Sequence, residues 1–420
     1  MFALADCNNF YASCEKVFNP SIGLRPVVVL SNNDGCVIAR SAEAKRLGIP
    51  MGAPAFKIEE MIRKYDIAVF SSNFELYGDM SQRVMNILSR FTPDLEIYSI
   101  DEAFLSLTGF EHLNLIDYGH KIRETLKQGT GIAVGVGIAP TKTLAKAANV
   151  YAKKNGSGVW FVYEKTDIDK LLRWLPISDV WGIGRKHSSR LENAGIKTAY
   201  DFVTKMSEEI VLKRMTITGV RTWKELKGIK CIPLEKFPPS KKSIATTRSF
   251  GHMVENYDKL IESVTTFASS CASKLRASRL AAGQIMVFIH TNSFRKDLDQ
   301  YAQNRVLTLP VPTSDSLELI QYAQKALKDI FKEGYQYKKA GVIVSALVNE
   351  NKIQQDMFDR IDREKHKNLM NAMDEVTKRF GKNSIKIASQ GLGKRTWHMN
   401  QQNLSKRYTT RWDEIIEVKI

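Results

Sequence analysis

The chain has 420 residues, a length that favours about two to four domains over one core. With 43% hydrophobic and 25% charged residues it reads as a folded globular protein, so disorder is not the default. The formal net charge of +17 points to an anionic partner, nucleic acid first, because each phosphate neutralised by Lys or Arg releases a counterion; a basic but solvated surface is the alternative.

The five cysteines, Cys7, Cys14, Cys36, Cys231 and Cys271, contain no C-x-x-C pair, and the seven histidines no H-E-x-x-H pattern. Reduced thiols are therefore expected, and no zinc site. The opening MFALADCNNF lacks a basic leader before an apolar stretch, and no apolar run reaches bilayer length; both favour a cytosolic protein.

In chain order, the pattern predicts a buried strand at residues 2–6, strands at 26–30 and 69–71, and a short helix at 41–47 stopped by Gly48. A helix follows at 77–90, with Met80, Val84, Ile87 and Leu88 on its apolar face. Strands are predicted at 95–99 and 103–107, a helix at 115–127, a glycine-containing strand at 132–138, an Ala- and Lys-rich helix at 142–151 and a closing strand at 158–162. Strand, helix, two strands, helix, strand implies a ferredoxin-like antiparallel sheet, with 23–73 inserted after its first strand. Residues 168–227 read as mostly helical around the loop VWGIGRK (180–186). Pro233, Pro238 and Pro239 with Ser240, Lys241 and Lys242 mark a basic linker. Residues 243–348 hold two strand–helix units, and 349–420 read as a tail of polar loops. No repeat of fixed period is present.

Asp6 ends the first strand, and Asp101 and Glu102 lie between a later strand pair. Adjacent strand residues point to opposite faces, so these two acids converge only where a tight hairpin breaks the pleat. Beside the first strand, such a hairpin would gather three carboxylates that resist joint ionisation until cations bind. Hard oxygen donors favour magnesium or manganese, and two such ions suit phosphoryl transfer. Taken alone, a helix-capping Asp6 and a solvated Asp-Glu turn are the stronger reading.

The flanking residues change that balance. ADCNNFYASCE (5–15), YSIDEAFLSLT (98–108), GVGIAPTKTLAKAAN (135–149) and VWGIGRK (180–186) resemble, in this order, the Y-family lesion-bypass DNA polymerases, and most of all their UmuC branch. The resemblance implies an α+β multidomain right hand: a ferredoxin-like palm (1–22 and 74–164), small fingers (23–73), a helix-hairpin-helix thumb (165–232), a linker (233–242), an α/β little finger (243–348) and a tail (349–420) with a UmuC-type extension. It implies error-prone synthesis past damaged template in the SOS response, from dNTP to a primer 3′-OH. Asp6, Asp101 and Glu102, with the backbone carbonyl of Cys7, match the positions that hold two Mg2+ ions, or Mn2+. Tyr11 matches the steric gate that crowds a ribose 2′-OH, with Phe10 packed nearby. Lys45 and Lys153 match positions that hold the triphosphate. Ala39 and Ala42 stand where many relatives carry Thr and Tyr, and Arg40 is the residue placed to compensate.

Several signals bear on partners. Gly182 and Gly184 resemble a helix-hairpin-helix turn whose backbone N–H groups approach a DNA phosphate, followed by basic Arg185, Lys186 and Arg190. Lys241 and Lys242 join them as candidate DNA contacts. The stretch GIAPTKT (137–143) lacks the glycine before lysine of a P-loop and is rejected as one. Gln354-Gln355-Asp356-Met357-Phe358 resembles a sliding-clamp peptide, with Gln354, Met357 and Phe358 as anchors. A UmuD′-like homodimer, the RecA filament and a cytoplasmic, nucleoid-associated location are implied by resemblance only. Two rivals stand beside this reading: a non-catalytic DNA-binding scaffold and a nucleotidyl cyclase.

Overall fold

A computed structural model describes residues 1–237, 239–354, 356–381, 384–391, 397 and 399–417. The chain divides into two units, one of Met1–Ser31, Gly35–Pro238 and Asn403–Ile420, the other of Asn32–Asp34 and Pro239–Gln402.

The first unit begins with β1 (Phe2–Cys7), α1 (Phe10–Phe18), β2 (Val27–Leu30), β3 (Val37–Arg40), α2 (Ala42–Arg46), α3 (Glu59–Lys64) and β4 (Ala68–Ser71). It continues with α4 (Phe74–Leu88), β5 (Leu95–Ile97), β6 (Glu102–Ser106), α5 (Leu115–Thr130), β7 (Val134–Ala139), α6 (Lys142–Lys154) and β8 (Val159–Phe161). Four helices follow: α7 (Lys165–Trp174), α8 (Arg185–Asn193), α9 (Ala199–Lys205) and α10 (Glu208–Leu226).

Five strands form a sheet in the order β5-β6-β1-β7-β8. The run β1-α4-β5-β6-α5-β7 is the expected ferredoxin-like core. The sheet is not antiparallel throughout, however: α6 carries the chain over to lay β8 parallel to β7. Period-two alternation divides β1 between two cores. Ala3, Ala5 and Cys7 pack with Tyr77, Met80 and Val84 of α4 and Ile122 and Leu126 of α5. Phe2 and Leu4 pack on the other face with Leu144, Ala147 and Ala148 of α6 and Leu171 of α7. The same alternation assigns Asp6 to the α6 face. Helix α6 lies close to the sheet because position 137 is glycine: a Cβ there would overlap the Ala145 carbonyl and the Asn149 backbone.

The inserted segment forms a three-stranded sheet, β3-β2-β4, with Val28, Leu30, Val37, Ile49 and Ile58 in a core of its own. Helix α2 is where the sequence places it, its first turn capped by the Ser41 hydroxyl, which accepts the Ala44 N–H at 3.3 Å. The segment after α10 is bound rather than free. The Lys142 ammonium donates to the Pro233 carbonyl at 2.7 Å, the Glu235 N–H donates to Glu96 at 2.5 Å, and Lys236 pairs with Asp94. Residues 233–236 of the expected linker are thus held against the first unit, the two units divide within its bounds, and Pro238 lies outside the described residues.

The second unit comprises β9 (Ser243–Val254), α11 (Tyr257–Ala277), β10 (Leu280–Thr291), β11 (Ala302–Thr313), α12 (Ser316–Ile330), β12 (Tyr337–Asn349) and α13 (Arg363–Phe380). Its strands form an antiparallel sheet, β11-β10-β12-β9. Phe267 and Cys271 of α11 and Leu319 and Leu327 of α12 pack on Ile285, Val287, Val342 and Val344. The expected strand–helix units are thus complete strand–helix–strand units. Helix α13 corrects the polar-loop reading of the tail. Its dock is largely ionic: Arg276 meets Asp374 at 2.7 Å, Arg363 meets Glu318 at 2.7 Å, and Met370 is its one fully buried residue. Among the described residues no helix is long and apolar enough to cross a membrane. All five cysteines are free of disulfides.

Candidate active site

Asp6 of β1 and Glu102 of β6 are direct cross-strand partners. Such pairs in an antiparallel sheet hold their Cβ atoms about 5 Å apart on one face. The turn before β6 is built by Ser99, whose hydroxyl donates to Asp101 Oδ1 at 2.6 Å and accepts the Glu102 N–H at 3.1 Å. The Cys7 N–H donates to the Asp101 carbonyl at 2.9 Å, tying that turn to the end of β1. The expected break in the pleat is therefore present. Burial pushes the Asp6 carboxyl up to about 6; Lys153 opposes the rise, and the negative charges of Glu102 and Asp101 add to it. The Cys7 thiol is buried in the core and raised further, so it stays protonated.

Both acids are matched by lysines of α6. Lys153 Nζ lies 2.6 Å from Asp6, and Lys146 Nζ lies 3.0 and 3.1 Å from the two Glu102 oxygens. Among the described residues no three acidic, His or Cys side chains close on one point as a preformed metal cage. The donor chemistry nonetheless fits a hard divalent cation: carboxylates only, crowded enough to repel one another.

Asp6, Cys7, Phe10, Tyr11, Arg40, Lys45, Asp101 and Lys153 line one pocket of ≈ 340 Å³, together with Ala39 and Met51. Eight of the sequence-derived candidates thus meet in one cavity. Desolvation lowers the Lys45 ammonium, and the neighbouring Arg40 and Lys153 charges lower it further. Three cations crowded together favour a polyanionic occupant. Arg40 is partly committed already, since its guanidinium donates to the Ile49 carbonyl at 2.6 Å. Tyr11 stacks on Tyr77 at 4.5 Å between centroids and meets the edge of Phe74 at 5.9 Å. Asp6 and Glu102 also face a second cavity of ≈ 210 Å³, beside Lys146, Asn149 and Trp181.

The sequence reading missed Lys146. Lys142, Lys146, Asn149 and Lys153 fall at i, i+4, i+7 and i+11, one stripe of an otherwise Ala-rich helix. All four contact the sheet: Lys142 with Glu96, Lys146 with Glu102, Asn149 with the Leu4 and Gly135 carbonyls, Lys153 with Asp6. Gly135 is small for the same reason, because a Cβ there would stand 2.7 Å from Cε of Lys153.

The remaining candidates line neither cavity. Gly182 has φ +90°, and a Cβ there would crowd the Thr222 hydroxyl. Gly184 needs no such conformation, but it leaves open space at the start of α8, which has no side-chain cap. Arg185, Lys186 and Arg190 are exposed, as are Lys241 and Lys242 in the second unit. Lys241 bonds the Ser278 hydroxyl at 3.2 Å. Met357 and Phe358 are 90% and 82% exposed, an unusual state for such side chains. Gln354 is described but Gln355 is not.

Comparison with known proteins agrees with this geometry. Residues 5–150 match the impB/mucB/samB family, 241–357 its C-terminal domain, and 367–418 a domain of unknown function (DUF4113). The chain is 44% identical to Protein UmuC of Salmonella typhimurium, with all of both chains covered. It is 42% identical to Protein ImpB of the same organism, with 99% of each covered. It is 26% identical to DNA polymerase IV of Clostridium acetobutylicum, over 89% of this chain and 93% of that one. A Y-family DNA polymerase chimera (Dbh-Dpo4-Dbh) superposes with a TM-score of 0.67 at 21% identity, covering 83% of this chain and 99% of the other. Kinship along the whole sequence and likeness of fold converge: the chain belongs to the impB/mucB/samB family and has the fold of the Y-family DNA polymerases.

Proposed function

We propose that this chain is an error-prone, template-directed DNA polymerase that extends primers past damaged template. The observation that carries the reading is the β1–β6 register: it sets Asp6 beside Glu102 at the edge of a pocket walled by Arg40, Lys45 and Lys153. Asp6, Asp101, Glu102 and the Cys7 carbonyl would hold two Mg2+ ions, or Mn2+, which when bound activate the primer 3′-OH and neutralise the leaving pyrophosphate. Lys45, Lys153 and Arg40 bind the triphosphate as a cationic wall. Tyr11, held flat on Tyr77, fills the space a ribose 2′-OH would need. Ala39 leaves the pocket wall thin, which suits a distorted base pair.

In this reading 1–22 and 74–164 act as palm, 23–73 as fingers, 165–232 as thumb and 243–348 as little finger. Gly182, Gly184, Arg185 and Lys186 contact the DNA backbone, as do Lys241 and Lys242. The exposed Met357 and Phe358, with Gln354, dock on a sliding clamp. A UmuD′-like homodimer and a RecA filament complete the assembly, in a cytoplasmic, nucleoid-associated SOS response.

Magnesium-dependent primer extension across an abasic site tests the reading. The parent chain is expected to extend the primer, and Asp101→Ala to lose roughly a thousandfold or more of that rate. Equal extension by both would leave a scaffold that kept the fold. A cyclic product formed without primer would identify a cyclase.

A further inference from the structure

The tail that matches a domain of unknown function returns to the first unit at Asn403, and its contacts there are specific. The Ser71 N–H donates to the Asn403 carbonyl at 2.9 Å, and the Asn403 N–H donates to the Ser71 hydroxyl at 3.0 Å, extending the end of β4. Asn73 Nδ2 donates to the Ser405 carbonyl, the Ser405 hydroxyl and the Lys406 carbonyl at 3.2, 3.0 and 3.3 Å. Its Oδ1 caps α4 by accepting the Leu76 N–H. Arg407 pairs with Glu75 at 3.1 Å, and Tyr408 stacks on Phe18 at 5.1 Å.

Apart from the Ser71 pair on β4, these contacts fall on the two helices that carry the aromatic plate and on the cap of the second. Tyr11, Glu15 and Phe18 recur at i, i+4 and i+7 on α1, one face of that helix. Tyr11 ends this stripe in the pocket, while the tail holds Glu15 and Phe18. Asn73, Phe74 and Tyr77 belong to the first turns of α4. The two helices are locked through Glu15, which is 1% exposed and accepts from the Tyr77 hydroxyl at 2.6 Å and the Ser405 hydroxyl at 3.0 Å. A buried carboxylate with two donors fixes both in place, and losing one leaves it undersatisfied.

We infer that residues 403–408 form a strap that positions the Tyr11–Tyr77 stack and thereby sets how strongly the nucleotide pocket excludes a 2′-hydroxyl. Ser405 is the positioning residue and acts through Glu15 and Tyr77. The inference rests on Tyr11 being the sugar plate, and it gives a task to a segment far from the pocket in sequence. The loss of one hydroxyl is expected to loosen the plate without removing it.

The test is single-nucleotide incorporation by the full chain on primer–template, with kcat and KM measured for a dNTP and its matching rNTP. Tyr11→Ala is the reference and is expected to lose discrimination against the rNTP by roughly a hundredfold. Ser405→Ala is expected to lose about threefold, through a raised KM for dNTP and a lowered KM for rNTP, with kcat for dNTP nearly unchanged. Ser405→Thr keeps the hydroxyl and is expected to restore parental discrimination. Arg407→Ala with Tyr408→Ala releases the strap without touching Glu15 and is expected to behave like Ser405→Ala. If Tyr11→Ala loses discrimination while both strap variants keep it, the strap has no hold on the plate and the inference falls alone. A fall in kcat with the rNTP-to-dNTP ratio unchanged overturns it equally, since that marks a merely structural contact. If Tyr11→Ala keeps parental discrimination, the sugar-plate reading falls and the inference with it.

Discussion

Replacing Glu15 by Gln is expected to stabilise the first unit above pH 7 and to change little near pH 5. Glu15 is buried with no ion-pair partner among the described residues, and burial pushes its carboxyl from an ordinary 4.5 up to about 7. The Tyr77 and Ser405 hydroxyls offset only part of that rise. The folded chain therefore binds more protons than the unfolded chain between these values. Stability from protonated Glu15 is complete below about pH 4.5 and is lost as pH climbs through about 7. The displacement corresponds to roughly 3 kcal/mol once the group is ionised. Glutamine cannot ionise, yet its Oε1 can still accept from both the Tyr77 and the Ser405 hydroxyls, which donate to the same oxygen of Glu15. Allowing for the hydration the amide loses, about 1–2 kcal/mol should be regained, or roughly 3–6 °C in the Tm of a unit this size. Scanning calorimetry of parent and variant from pH 5 to pH 8.5 measures this. Coincident melting at pH 8, or a gap already complete at pH 5, would refute the assignment of Glu15 as a buried carboxyl without a countercharge.

Three further outcomes are expected. Gly137→Ala should cost about 3 kcal/mol or more, because the new Cβ meets the backbone of α6 rather than a movable side chain; soluble yield and Tm report it. Lys146→Met should lower the Mg2+ concentration for half-maximal extension by about threefold, since the ammonium now bonds both Glu102 oxygens and competes for them. Met357→Ala with Phe358→Ala should abolish stimulation by a sliding clamp and leave clamp-free extension within about twofold, as expected for exposed anchors that line no part of the pocket.

The sheet and its long helices were legible because each buries a continuous apolar face, and such faces leave a period in the sequence. The pocket was legible for another reason: Asp6, Tyr11 and Asp101 sit in stretches that resemble a family, Lys45 and Lys153 match positions of that family outside those stretches, and spacing alone would have ranked each as ordinary. What stayed hidden has identifiable causes. Helix α1 enters from Asn9 at φ 52° without a side-chain cap, so no start signal marks it. Strand β3 is four residues long, too short for a period to show. Helix α13 carries Leu369, Met373, Val376 and Phe380 at i, i+4, i+7 and i+11, but it buries only Met370 and docks mainly through ion pairs, and the reading of polar loops passed over that short stripe. Lys146 was within reach, since the polar stripe of α6 is written in the spacing of four residues. The Ser405–Glu15 bond joins residues 390 apart, and nothing local in either segment announces the other.

The lysines of α6 offer one substitution at two sites with opposite expected consequences. Lys142 and Glu96 are nearly sealed, their side chains 2% and 9% exposed, and Lys142 also holds the Pro233 carbonyl. Lys153 and Asp6 are 27% and 22% exposed, at the wall of the open pocket. Removing one partner of a sealed pair strands the other charge, at a cost of about 3–5 kcal/mol. Removing one partner of a pair that water reaches costs about 1 kcal/mol or less. Lys142→Met should therefore lower Tm by many degrees and affect extension only as far as folded protein is lost. Lys153→Met should leave Tm within a few degrees, yet raise the KM for dNTP roughly tenfold, because a cation of the triphosphate wall is gone. It also removes the group that opposes the rise of the Asp6 carboxyl, which in the metal-free chain then moves further up. Melting curves and steady-state kinetics on the two variants decide the matter. Equal losses of Tm would mean that α6 is a uniform ionic clamp, with no exchangeable end facing the nucleotide.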